Sequence, residues 1–142
     1  MPVVIPSIPE DVLSRTVLAV RGKYDFAVDG GAISTIAITA GLPIPSGAVI
    51  VGGYVDVSTA LVGATATIAM QVEAANDILT AVAVASWTTG RKNVLPAPTT
   101  GALTASTAVK TTAVRNISIV IATAALTAGV FDVVLYVMPP LA

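Results

Sequence analysis

The sequence predicts an all-β domain: a jelly-roll-like β-sandwich with an extended Pro-rich N-terminal arm. Three observations predict it. Short segments alternate apolar and polar residues with period two, Gly- and Pro-containing turns separate them at regular intervals, and the first residues carry three prolines with no alternation. The expected division is an arm over residues 1–15 and one sandwich domain over residues 16–142.

In the arm, Pro2, Pro6 and Pro9 fix φ and remove ladder donors, so the chain is expected to run extended towards the acidic pair Glu10 and Asp11. Residues 16–24 then place Leu18, Val20 and Tyr24 on one face against Ala19, Arg21 and Lys23, a half-buried strand. Asp29-Gly30-Gly31 supplies a turn, and residues 33–40 follow with Ile36 and Ile38 together. Gly41-Leu42-Pro43-Ile44-Pro45-Ser46-Gly47 reads as a corner between strands. Residues 48–57 place Val49, Val51, Val55 and Val57 inward, with a bulge or close contact at Gly52-Gly53. Residues 65–73 set Ala66, Ile68, Met70 and Val72 against Thr65, Thr67, Gln71 and Glu73.

Residues 74–87 allow a turn and a strand, or a short helix capped by Asn76 or Asp77; β-branched Ile78, Val82 and Val84 favour the strand. Gly90, Pro96, Pro98 and Gly101 make residues 88–107 loop-like. Two strands close the chain, one burying Ile117, Ile119 and Ile121, the other Phe131, Val133, Leu135 and Val137, joined by a short hairpin connection at residues 124–129. Roughly eight strands in all suit a jelly roll.

Composition excludes several function classes. Hydrophobic residues make up 55% and charged residues only 11% of 142, against about 25% charged in an average soluble chain. A net charge of −1 offers no basic footprint for nucleic acid or an anionic membrane, and neither is expected as a partner. There is no Cys and no His, which removes disulfides, thiolate catalysis and the commonest general base and metal ligand. A mean hydropathy of +0.90 raises the question of a membrane span. The longest uncharged run, residues 30–55, is broken by Gly41, Pro43, Pro45 and Gly47, so a soluble chain is expected.

Candidate chemistry fails residue by residue, and no enzyme, metal or cofactor is expected. Asp25, Asp29 and Gly30-Gly31 lack the alternate oxygen ligands and final Glu of a calcium loop. Glu73 and Asp77 could suggest a glycosidase carboxylate pair but stand without other acidic residues nearby in sequence. Ser34, Ser46, Ser86 and Ser106 have neither a G-x-S-x-G context nor a His.

Surfaces are the better candidates. The outward set of residues 48–57 and of residues 130–138 is poorly charged, which points to a subunit interface at Ile50, Tyr54, Val134, Tyr136 and Met138. Trp87 with Arg91 and Lys92 makes a candidate contact loop, although a small sandwich usually buries its only Trp and the plug is the favoured role. The arm residues Pro2, Val3, Val4, Ile5, Pro6, Ile8 and Pro9 are candidates for docking on a partner.

Four stretches carry a resemblance. They are Tyr24-Asp25-Phe26-Ala27-Val28-Asp29-Gly30-Gly31, Leu42-Pro43-Ile44-Pro45-Ser46-Gly47-Ala48-Val49-Ile50, the run from Ala66 through Met70 and Glu73 to Asp77, and Leu126-Thr127-Ala128-Gly129-Val130-Phe131-Asp132. Over roughly residues 20–138 the chain resembles the head-decoration (cement or auxiliary) proteins of tailed bacteriophages. That resemblance implies a β-sandwich that forms a homotrimer, binds the major capsid protein on the outer capsid surface and clamps neighbouring subunits, with host cytoplasm as the site of assembly. It transfers no catalytic residue; the arm lies outside it, and contact of the arm residues with the capsid is a separate expectation. A glycan- or host-binding module of a head fibre or tail is the alternative expectation.

Overall fold

A computed structural model describes residues 17–94 and 108–140; the expected arm lies outside them. Segments dense in Val, Ile, Thr and Ala become strands because β-branched side chains pack well on a pleated surface. The first sheet runs β3 (Thr39–Ala40), β1 (Leu18–Asp25), β10 (Leu126–Met138), β4 (Val49–Gly63), β7 (Gly90–Asn93), with β8 (Val109–Lys110) pairing the start of β4. The second runs β2 (Ser34–Ala37), β9 (Ser118–Ala122), β5 (Thr67–Gln71), β6 (Leu79–Ala83). Every pairing is antiparallel.

Setting aside the two-residue β3 and β8 leaves eight of the ten strands among the described residues. In chain order these are arranged first–eighth–third–sixth in one sheet and second–seventh–fourth–fifth in the other. That is the jelly-roll arrangement of an all-β sandwich, as expected.

The core lies between the sheets. Phe131 is fully buried between Tyr24 and Trp87, with ring centroids 5.4 and 5.0 Å away. Ile50, Ile68, Met70, Ile119, Ile121 and Leu135 fill the space around them. Each such side chain stabilises the fold by about 1.5–3 kcal/mol relative to exposure.

Several expectations are corrected. Tyr136 pairs with Gly52 and Val137 with Ile50, so Val51 is the extra residue of a bulge, just ahead of Gly52-Gly53. The bulge inverts the facing of everything before it: Ile50 and Ala48 are fully buried, while Val51 is 49% exposed. Ile50 therefore belongs to the core and leaves the candidate interface. Residues 33–40 are not one strand, because Ile38 changes sheets. Its N–H donates to Ile117 O and its carbonyl accepts from Lys23 N, both at 2.8 Å.

Residues 124–129 do not form a hairpin connection, since β9 and β10 belong to different sheets and the chain crosses at Thr123 (φ 71). Leu18 is 45% exposed at the sheet margin rather than inward. Residues 74–87 resolve into a turn, β6 and a short 3₁₀ turn (Val84–Ser86). Arg91 and Lys92 sit on β7 rather than in a loop, and residues 95–107 of the expected loop lie outside the described residues.

Candidate functional site

The acidic residues that invited a catalytic reading serve the backbone. Asp77 accepts the N–H groups of Val72, Glu73 and Ala74 at 2.8–2.9 Å and so fixes the turn after β5. Asp25 caps the one-turn helix α1 (Phe26–Asp29) through Ala27 N, and Asp29 accepts from Asp25 N. The Tyr24 hydroxyl donates to Gly30 O at 2.7 Å. Burial pushes its pKa up to about 12, with Asp29 and Asp25 adding to the effect. Among the described residues, no group of three or more His, Cys, Asp or Glu could hold a metal ion.

Glu73 makes a longer link. Both its oxygens meet Arg115, at 2.8 and 3.0 Å, and it also accepts the Thr112 hydroxyl and N–H. Arg115 itself is bridged through its backbone to Ile44 in the corner. The end of β5, the approach to β9 and the corner are thereby tied together.

The Arg115 hydrogen bonds, then those of Thr112, hold the Glu73 carboxyl down to about 2 from its ordinary 4.5. A depressed folded-state pKa contributes stability that is present above about 4.5 and lost as pH falls through about 2. Thermal melts between pH 2 and pH 7 should therefore show a stability decline in that window that flattens in Arg115→Ala. An unchanged pH profile in the variant would remove the latch from the account.

The outer face of the first sheet is the broadest candidate surface. Register places its side chains in rungs across the strands. One rung is Ala19, Tyr136 and Gly52; the next is Arg21, Val134, Tyr54 and Asn93; the third is Lys23, Asp132, Asp56 and Arg91. Tyr54 and Tyr136 are diagonal neighbours with ring centroids 6.2 Å apart. Arg91 lies 5.4 Å over the Tyr54 ring and 3.5 Å from Asp56, which holds the ring's outer side. Tyr136 and Met138 are 40% and 39% exposed. Val134 faces the same way but is 8% exposed, covered within its own chain.

The structure thus gathers Tyr54, Val134, Tyr136 and Met138 on one face and removes Ile50. The contact-loop set comes apart. Trp87 is 3% exposed and plugs the core, the role its composition favoured. Arg91 faces outward on the sheet, and Lys92 donates to Thr88 O at the edge. Sequence reasoning missed a second apolar place, a groove lined by Leu18, Leu42, Pro43, Pro45 and Val114. Its signal was Leu42 inside a turn-rich corner, an apolar residue that no strand pattern demanded.

No family model matches the sequence, and no curated protein does. Two solved structures share the fold. A chain of the cyanophage Pam1 capsid asymmetric unit superposes with a TM-score of 0.61 at 19% identity, covering 99% of this chain and 94% of that one. A chain from the acidic stable capsid structure of Helicobacter pylori bacteriophage KHP30 gives a TM-score of 0.55 at 13% identity, covering 87% and 88%.

Proposed function

We propose that this protein is a non-enzymatic structural component of a virion, which binds the outer surface of a phage capsid as a homotrimer and stabilises contacts between major capsid subunits. The observation that carries this reading is the end-to-end likeness of fold, 99% of this chain on 94% of a chain in the Pam1 capsid asymmetric unit. Physical reasons support it. A sandwich closed by a Tyr24–Phe131–Trp87 core resists deformation, and repeated copies multiply weak contacts by avidity.

The Tyr54, Tyr136 and Met138 face supplies the contact with neighbouring subunits of the shell. Tyr is among the residues that anchor interfaces, and a truncated anchor costs about 2 kcal/mol or more, roughly thirtyfold in affinity. Tyr136→Glu should leave the fold intact, because the side chain is 40% exposed, and lower occupancy on shells by at least about tenfold. Heads lacking the protein should release DNA at lower temperature than heads carrying it, read by a DNA-binding dye during heating. Equal release temperatures for the two would sink the stabilising role; full occupancy by Tyr136→Glu would remove the face.

A further inference from the structure

β3 ends after two residues. It meets β1 only at Arg21 and Gly22, opposite Ala40 and Thr39, and the chain then turns away at Gly41 (φ 90) and Pro43. Residues 18–20 of β1 are therefore paired to β10 on one side and to no strand on the other, among the described residues. Ladder alternation identifies the free groups. Lys23 donates its N–H to Ile38 O on the β3 side, so Ala19, four residues earlier, presents its N–H and C=O to that same side. A bare edge of this kind is a template for another strand, and residues 18–20 carry neither Pro nor a charge to block it.

Along that edge runs a groove of about 630 Å³, walled mainly by Leu18, Val20, Leu42, Pro43, Pro45 and Val114, with Arg21 the one charged residue on its lining. Leu42 and Val114 are 86% and 62% exposed, so the walls are apolar and uncovered. Backbone groups at the edge and apolar walls beside it are the two parts of a strand-addition site.

We infer that this site takes the Val3-Val4-Ile5 run from the arm of a second copy of the chain. Residues 1–16 precede Val17, the neighbour in sequence of the groove-lining Leu18, and fully extended they would reach roughly 50 Å. Val3-Val4-Ile5 is β-branched throughout and is bounded by Pro2 and Pro6, which confine pairing to a stretch matching residues 18–20. Return of the arm to its own groove is opposed. To reach it residues 6–17 would have to double back, and Pro6 and Pro9 favour an extended path instead. Arm into groove is a head-to-tail contact, which closes as a ring of copies when the rotation permits. The arm, expected from sequence to contact the capsid, here takes a second copy of the chain as its partner instead.

The test uses the full chain, a variant lacking residues 1–10, and the full chain carrying Leu42→Glu, which at 86% exposure leaves the core untouched. Native mass spectrometry should show the full chain as a multimer and each variant alone at least tenfold weaker in association. Mixing the two variants should restore one-to-one pairs, since one brings an arm and the other a groove. Three results overturn the inference: a full chain that is monomeric at every concentration, variants that assemble as well as the full chain, or a mixture that forms no pairs.

Discussion

Replacing Trp87 by alanine is expected to destabilise the sandwich by about 3–5 kcal/mol, measured as a lower urea midpoint at unchanged slope. The indole is 3% exposed and lies 5.0 Å from the Phe131 ring, which in turn meets Tyr24. Its own backbone joins the 3₁₀ turn to β4, with Trp87 N donating to Val84 O and Leu61 N donating to Trp87 O. Removing the ring leaves a cavity between three elements that cannot collapse together. Trp87→Phe is the informative companion. It keeps most of the volume and deletes an indole N–H that is buried with no acceptor among the described residues, so its cost should stay under about 1.5 kcal/mol. A loss below about 1 kcal/mol in Trp87→Ala would show that the ring does not close the core.

Gly31→Ala should cost about 3 kcal/mol, for lack of space rather than for strain. A Cβ at Gly31 would stand 2.1 Å from Leu126 O and 2.7 Å from the Phe26 ring. Neither neighbour can retreat freely. Leu126 N donates to Gly31 O at 2.8 Å, and Leu126 opens β10 immediately after the chain crosses between sheets. The expected readout is a lower melting temperature together with faster hydrogen exchange at Leu126. Wild-type stability in Gly31→Ala would mean that the crossing is looser than the geometry shows.

Strand identity was legible wherever one face is strictly apolar. Ala66, Ile68, Met70 and Val72 are all buried, as are Ile117, Ile119 and Ile121, because Thr67, Gln71 and Ser118 mark the other phase as the wetter one even though Ala69 and Val120 fall in it. In Val49-Ile50-Val51 both phases are apolar, so nothing local reveals which residue a bulge will expel; the pairing partners of β10 decide it. Ile38 fits the alternation of a single strand equally well whether or not the chain changes sheets there. Gly90 and the Pro and Gly residues beyond it suggested a loop over β7, whose Arg91 and Lys92 instead put charge on an edge strand, a common guard against unwanted pairing. Of the candidate surface, Tyr54, Tyr136 and Met138 were legible from the scarcity of charge. The Glu73–Arg115 link was not, because its partners are 42 residues apart and meet only through the fold.

The place of β10 has a consequence for how the chain is made. It lies between β1 and β4 in the middle of the first sheet, yet it is the last strand of the described chain to leave the ribosome. Between synthesis of Asp25, which ends β1, and Met138, which ends β10, translation at about 5–20 residues per second takes roughly 6–23 s. Once β4 is complete at Gly63, β1 and β4 have apolar inner faces and no neighbour between them for the rest of that interval. Pairing across so long a stretch of chain is intrinsically slow, so the nascent chain is most prone to aggregation just before its final strand arrives.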